Sequence, residues 1–522
     1  MQYRLLLLAG ETLLLASCMV GPNYLRPLTA VTPAYKELPP RADKSDDLWR
    51  PAHPSDSVLR THWWELFGDK ELNALEQQVE VGNQELKAAE GRFREARALV
   101  GYARADEFPT IDVGPGINAL RESPNQPYFP SLNAPATGDF VLPVDLSYEI
   151  DLWGRIRRSV TAAGEKAQAS AADLESINLS LHAELAIDYF ELRSADAQQR
   201  LLDDTVKAYG DSLELTRARL EGGASPESDV AQAKVQLDTA RVQATDIAVR
   251  RAQYEHAIGV LLGRPPASFA LPAAPFDSQP PVIPIGIPSE LLERRPDIAA
   301  AERRAGAANE QIGIAIAAYY PSLSLSAVGG FESSALSTWF SWPSRLWAIG
   351  LSAADNVYDG GRRHAKTDAA RAQYDAAIAD YRQTTLTAFQ QVEDNLAALR
   401  ILEREAEQQD EAVDSAQNNL RIFTDRYIGG RDNYLQVITA QTEYLDNERN
   451  QVEIWRRRMD ASALLVKALG GGWAASSLPT LKELIHPGAD RSGAKSSPDK
   501  SSPPDNSQPS DPVVTDMWKE SP

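Results

Sequence analysis

One cysteine, six histidines and a surplus of carboxylates are the side chains from which this 522-residue sequence could build catalysis. Their spacing argues against it. The histidines (His53, His62, His182, His256, His364, His486) are scattered, and none forms the His-Glu-x-x-His pair that sets two imidazoles and a general base on one helix face. There is no Gly-x-Ser-x-Gly elbow for a serine nucleophile and no P-loop for a nucleotide. Gly114-Pro115-Gly116-Ile117-Asn118-Ala119 grazes the dinucleotide fingerprint, but it carries a proline and follows no buried parallel strand. The carboxylates lie mostly at helical spacing beside Arg or Gln, where a solvated face is the expectation. A single cysteine excludes an intramolecular disulfide framework and any multi-cysteine metal site. The expectation is a protein that is not an enzyme, with no catalytic residue, no metal and no cofactor.

Cys18 keeps one chemistry, acylation. It follows Arg4, the apolar run Leu5-Leu6-Leu7-Leu8-Ala9 and the segment Leu13-Leu14-Leu15-Ala16-Ser17. The apolar stretch is too short to remain as a spanning helix, and small residues before the cysteine give a peptidase access to the bond. Leu15-Ala16-Ser17-Cys18 therefore reads as a bacterial lipobox, with residues 1–17 a signal peptide and Cys18 the acylated mature N-terminus. No other run of ~18 apolar residues occurs, so nothing else is expected to span a membrane as a helix. A net charge of −20 opposes contact with phosphate backbones and excludes nucleic acid as a partner.

The positioning elements follow from repetition. Residues 19 to 60 hold many prolines and read as an extended arm. Beyond them, Gly154, Arg155, Ala162, Ala169, Leu192, Arg193, Arg219, Gly222 and Gly223 recur 207 positions later as Gly361, Arg362, Ala369, Ala376, Leu399, Arg400, Arg426, Gly429 and Gly430. The period far exceeds that of solenoid repeats, which indicates one duplicated structural unit. Gly154 to Leu220 and Gly361 to Tyr427 lack proline. Their seven-residue apolar periods (Leu185, Leu192, Val206, Leu213, Leu220; Val392, Leu399, Ala406, Val413, Leu420, Tyr427) predict supercoiled helices about 100 Å long. Each ends in a Gly-Gly turn, Gly222-Gly223-Ala224-Ser225-Pro226 or Gly429-Gly430-Arg431-Asp432-Asn433, from which a second helix returns. Ser225, with Pro226 at the first helical position, and Asp432 are the expected caps of those returning helices.

Between the helices the period falls to two. Phe140, Leu142, Val144, Leu146, Tyr148, Ile150 and Leu152 alternate with polar residues such as Asp145, Ser147 and Glu149, as in a strand with one face in oil and one in water. Ile111 to Ala119 is a weaker strand before it. Leu323, Leu325, Ala327 and then Trp347, Ile349, Leu351, Ala353 repeat the arrangement. Runs of about ten residues fit a transmembrane β-strand. The aromatics Phe108, Tyr128, Phe129, Trp153, Tyr320, Trp339, Phe340, Trp342 and Tyr358 crowd strand ends and loops, as an interfacial girdle requires. Four strands cannot close a barrel, and open edges in lipid leave backbone groups unpaired, so the chain is expected to oligomerise.

Several segments together resemble the TolC-type outer-membrane factors, and within them the NodT-type efflux lipoproteins: Val20-Gly21-Pro22-Asn23-Tyr24-Leu25-Arg26-Pro27, Trp63-Trp64-Glu65-Leu66-Phe67, Asp151-Leu152-Trp153-Gly154-Arg155, Arg294-Arg295-Pro296-Asp297-Ile298, Tyr320-Pro321-Ser322-Leu323 and Asp432-Asn433-Tyr434-Leu435. The resemblance implies an α+β membrane protein. Three chains would form an outer-membrane β-barrel with four strands from each, continuous with a long periplasmic α-helical coiled-coil barrel. It implies a passive exit channel of a tripartite efflux pump, fed by a periplasmic adaptor and an inner-membrane RND-type transporter. The expected organisation is a signal peptide (1–17), an N-terminal arm (18–70), two repeats (71–286 and 287–475) and a C-terminal segment (476–522) with a disordered tail. By the same resemblance the adaptor engages the tips Gly222 to Pro226 and Gly429 to Asn433. Leu435 matches an apolar closing position, and Thr439 stands where several members carry Asp, leaving Asp432 or Asp229 to supply charge. The alternatives are a type I protein-secretion duct, whose members usually lack the lipobox, and a non-channel periplasmic coiled-coil scaffold, which needs no lipid-facing strands. An enzyme of polysaccharide export is the weakest alternative.

Overall fold

The computed structural model describes residues 19–29, 31–38, 62–121, 136–275, 279–283 and 290–486. Cys18, the segment before it, Tyr128, Phe129 and the tail from 487 lie outside the described residues.

After a short 3-10 helix (Trp63–Phe67) come α1 (Lys70–Gly82) and α2 (Gln84–Ala105). Asp69 and Asn83 cap these two helices, their side chains accepting from the second and third amides of each. Strands β1 (Thr110–Val113), β2 (Gly116–Leu120) and β3 (Thr137–Ile150) follow, then α3 (Arg155–Glu221) and α4 (Glu227–Leu261). The series repeats as α5 (Leu291–Arg294), α6 (Pro296–Ala317), β4 (Ser322–Ser333), β5 (Arg345–Ala354), α7 (Arg362–Ile428) and α8 (Tyr434–Ala468), and α9 (Leu481–Ile485) ends it. Corresponding helices have equal lengths: 67 residues for α3 and α7, 35 for α4 and α8, 22 for α2 and α6. No helix among the described residues is long and apolar enough to cross a membrane.

The five strands form one antiparallel sheet in the order β1-β3-β4-β5, with β2 also on β3. β1 pairs with Val144 to Ser147 and β2 with Thr137 to Val141. They are therefore two halves of one edge strand. The single weak strand expected from Ile111 to Ala119 is broken at Gly114-Pro115, because proline has no N–H for the ladder.

The largest core gathers where the two repeats meet. Trp63, Trp64 and Phe67 pack with Leu72 and Val79 of α1, Leu185, Tyr189, Phe190 and Leu192 of α3, Val392 and Leu396 of α7, and Met459 and Leu465 of α8. Each such side chain contributes roughly 1.5–3 kcal/mol on burial. Towards the hairpin ends the core thins: Leu185 and Leu192 are fully buried, whereas Leu220 on the same period is 37% exposed. The N-terminal arm runs along this body. Val20 donates to the Trp153 carbonyl (3.1 Å), Tyr24 donates to the Glu302 carboxylate (3.1 Å), and the Lys36 and Glu37 amides donate to Glu393 (2.8 and 3.0 Å).

The expectation of solvated carboxylates fails at the core. Glu76, Asp196 and Glu302 are buried, since packing rather than helical period decides their exposure. Where α3 meets α8, Arg456 is held by Glu191, Glu453 and Asp460. Burial pushes the Asp188 carboxyl up to about 7, reinforced by the charges of Glu184 and Glu191. Burial also pushes Asp460 up to about 7, against the opposing pull of Arg456 and with a smaller push from Glu191 and Glu453. Both hold protons in the folded chain that an unfolded aspartate, with its ordinary value of 3.8, has already lost. The stability this provides is complete below the unfolded value and lost as pH rises through about 7. Asp188→Asn, which removes one of these titrations, is expected to raise the thermal midpoint at pH 8 and to flatten its fall between pH 5.5 and 8. Midpoints that track wild type at both pH values would refute this.

Candidate functional site

Cross-strand register decides what the sheet can do, because directly opposed residues share a face. Ile111, Leu146, Ala327 and Ile349 form one row across the sheet, and Val113, Val144, Gly329 and Trp347 the next. On the other face Thr110, Ser147, Ser326 and Gly350 form a row, as do Glu149, Ser324 and Ser352. One face is thus apolar across all the strands, and nothing among the described residues covers it: Ile111 is 64% exposed, Trp347 79% and Ile349 72%. A soluble sheet would bury such a face against helices.

Aromatic side chains mark both ends of the sheet. At the helix end the Trp153 indole N–H donates to the Pro321 carbonyl (2.8 Å), and its ring stacks on Tyr320 at 4.6 Å. At the far end Trp339 stacks on Phe340 at 4.8 Å, and Trp342 lies exposed beneath Arg345. Amphipathic rings at two levels are what the boundaries of a hydrocarbon slab select. The two outer edges, β1/β2 and β5, present ladder groups with no partner in this sheet.

The opposite pole consists of the two helical hairpin tips. At the first, the Ala224 amide donates to the Arg219 carbonyl (2.7 Å) and the Gly223 amide to Leu220 (2.9 Å); at the second, Arg431 donates to Arg426 (2.8 Å) and Gly430 to Tyr427 (3.0 Å). These are Schellman caps, with Gly223 and Gly430 at φ near +70°, a conformation that a side chain would strain. The start of each returning helix departs from expectation. Pro226 occupies the cap position of α4 rather than its first turn, and the Ser225 hydroxyl meets the Tyr427 hydroxyl (3.0 Å) instead of capping. Asp432 pairs with Arg426, and it is Asn433 that caps α8. Other side chains at the tips won these two groups from the local backbone.

The two tips lie side by side. Arg219 donates to the Ile428 carbonyl (2.9 Å) and lies over the Tyr427 ring (4.7 Å). Farther up, Gln236 donates to Thr442 (2.9 Å) and Gln441 to Ser212 (3.1 Å), so repeat one is tied to repeat two at several levels. Leu435 is 53% exposed in the first turn of α8. The Thr439 hydroxyl is turned to the Leu435 carbonyl, and Asp229 lies in the first turn of α4. Arg219 and Arg426 stood out in the sequence only as a repeated pair. The structure gives them different work, the first reaching across to the other tip and the second holding Asp432 in its own.

An amphipathic sheet with an uncovered apolar face and two open edges, standing on helices about 100 Å long, defines a channel-forming protein of the outer membrane. The chain belongs to the outer membrane efflux protein family, whose model matches residues 75–264 and 287–471. Similar proteins include the toluene efflux pump outer membrane protein TtgF of Pseudomonas putida, 32% identical over 88% of this chain and 95% of that one. The antibiotic efflux pump outer membrane protein ArpC of Pseudomonas putida is 31% identical over 90% and 96% of the two chains. Among solved structures the outer-membrane channel OprN superposes with a TM-score of 0.80 at 29% identity, covering 87% of this chain and all of that one. The outer membrane protein VceC of Vibrio cholerae gives 0.73 at 28% identity over 79% and 99%.

Proposed function

We propose that three copies of this chain close a twelve-stranded barrel in the outer membrane of a Gram-negative bacterium, and that the assembly is the exit duct of a tripartite pump for toxic organic compounds. The observation that carries this reading is the uncovered apolar face flanked by two unpaired edges. In hydrocarbon each unpaired backbone group costs several kcal/mol, and only closure with further copies removes the edges. Counting β1 and β2 as one broken strand, each copy brings four. The named activities of TtgF and ArpC support organic solvents and antibiotics as cargo. A periplasmic adaptor on the tips Gly222, Gly223, Ala224, Ser225, Pro226, Gly429, Gly430, Arg431, Asp432 and Asn433, and an inner-membrane transporter of the RND class, supply cargo and energy. The secretion-duct and scaffold alternatives gain no support: the first has no counterpart among these relatives, and the second leaves the apolar face without a purpose.

Cys18 is proposed as the lipid anchor. In support, Val20, the second residue after it, is bonded to Trp153 at the inner aromatic level, which suits an anchor for the membrane boundary. Closure of the duct is assigned to the tips, with Leu435 as the apolar constriction, Asp432 and Asp229 as the nearby charge, and Thr439 neutral. Single-channel recording of the purified protein in planar bilayers, with its mass taken in detergent, tests the whole. The expected result is a trimer with small, flickering currents; a folded monomer that passes no current would overturn it. In the same material, Cys18→Ser is expected to abolish incorporation of labelled palmitate while leaving the conductance intact.

A further inference from the structure

A pocket of about 220 Å³ opens in the belt midway along the long helices, far in the fold from both sheet and tips. His62, Trp63 and Trp64 form one side, Glu175, Asn178 and His182 of α3 a second, and Trp473, beyond α8, a third, with Glu80 of α1 at the rim. Glu80 and Glu175 face each other with no ion-pair partner among the described residues, and burial followed by the charge of Glu80 raises the Glu175 carboxyl above its usual range.

The pocket also holds polar atoms that nothing among the described residues satisfies. His182 is 2% exposed; its ring stacks on Trp64 at 4.4 Å, and its Nδ1 lies 2.6 Å from the wholly buried Glu76 carboxyl. Burial holds Glu76 well above the ordinary carboxyl range and lowers His182 to about 4, so burial favours the uncharged form of each. The Glu76 hydroxyl then donates to Nδ1, and the imidazole carries its own proton on Nε2, which has no partner. The Trp473 indole N–H and the Asn178 side-chain oxygen are likewise buried and unpaired. A buried donor or acceptor left empty costs about 1–3 kcal/mol, and with the Trp64 indole N–H the cavity offers four of them to an occupant.

We propose that this pocket binds a small organic ammonium ion carrying a hydrogen-bond acceptor beside its charged nitrogen. Two carboxylates and the indole rings supply what an ammonium group selects, anionic charge and π-faces. The N–H groups of His182 and Trp473 then supply donors for the neighbouring acceptor. The assignment is independent of the efflux reading, since none of these residues belongs to the sheet or the tips.

Choline is a suitable probe, and 3,3-dimethylbutan-1-ol, the same shape without the charge, is its control. Saturation-transfer difference NMR on the full-length protein in a maltoside detergent is expected to show saturable binding of choline and none of the alcohol. Glu80→Gln with Glu175→Gln is expected to weaken choline binding at least about tenfold, as the loss of both charges requires. Retained oligomer mass and thermal midpoint certify the fold, and Glu175→Gln alone serves if the double variant fails that check. Absent choline binding, equal binding of the alcohol, or unchanged affinity in a folded variant would each overturn the proposal.

Discussion

Arg219→Ala is expected to raise the open-to-closed ratio of the reconstituted channel about five- to thirtyfold, seen as longer and larger openings in single-channel records. Arg219 is the side chain at the tips that bonds the backbone of the opposite hairpin, through the Ile428 carbonyl, and it covers the Tyr427 ring at the same time. A charged donor to a carbonyl is worth about 1.5–3 kcal/mol and an exposed cation–π contact about 0.5–1 kcal/mol. Solvent around this exposed group reduces the sum to about one or two kcal/mol. That energy favours the state in which the tips touch, so its loss shifts the population and not the conductance of a fully open pore. Arg426→Ala is the internal control, because Arg426 bonds Asp432 within its own tip and is expected to change the ratio far less. Equal effects of the two replacements would remove Arg219 from the closing contact. Alanine at Leu435 and Asp432 tests the constriction itself, and records unchanged by both would place it elsewhere.

Arg158→Ala is expected to destabilise the folded chain by ~3–5 kcal/mol, the range for stripping one partner from a buried ion pair. The Arg158 side chain is wholly buried; its Nη1 donates to Glu310 at 2.7 Å and its Nε to the Val20 carbonyl at 2.7 Å. It lies flat on Gly313, where a Cβ would come within 2.2 Å of its Cδ. Without Arg158, Glu310 remains in a low-dielectric cluster that also contains Glu165 and Glu302, with Arg303 the cation beside them. Urea unfolding in detergent micelles reads the loss. Arg158→Met combined with Glu310→Met is expected to recover most of it, because no buried charge is left unpaired. A single variant within about 0.5 kcal/mol of wild type would show that the pair carries no such weight. Gly313→Ala, which displaces the arginine without deleting it, is expected to behave like the single variant.

Sequence periods reached far into this fold. The long helices, expected from Gly154 to Leu220 and from Gly361 to Tyr427, run from Arg155 to Glu221 and from Arg362 to Ile428. The apolar rows follow from alternation in Phe140 to Ile150, because a period of two leaves no freedom about which side chains share a face. The tips were legible as Gly-Gly turns for a local reason as well, the left-handed cap. What the sequence concealed are contacts between segments hundreds of residues apart. Ser225 has every local qualification for a helix cap, yet its hydroxyl goes to Tyr427, and no spacing rule within one hairpin registers the neighbour. Arg158, Glu310 and Gly313 are unremarkable in their own helices and become a clamp only when α3 crosses α6. The buried pair of Glu76 and His182 was hidden in the same way, since a carboxylate on an amphipathic helix looks solvated until a second helix covers it.

The short joints between sheet and helices set how the duct can deform. β3 ends at Ile150 and α3 begins at Arg155, with the Asp151 carboxylate accepting from the Arg157 amide and guanidinium across the joint. A swivel there would break that bracing, so the upper ends of the helices are clamped like rods set in a collar. Displacement at the free ends has to be spread along their length as elastic bending. A lateral shift of about 5 Å at the end of a ~100 Å rod is a deflection of about 3°, well within the gentle curvature of ordinary helices. Such a body bends along its whole length with the largest travel at the tips, where a small force acts with the greatest leverage.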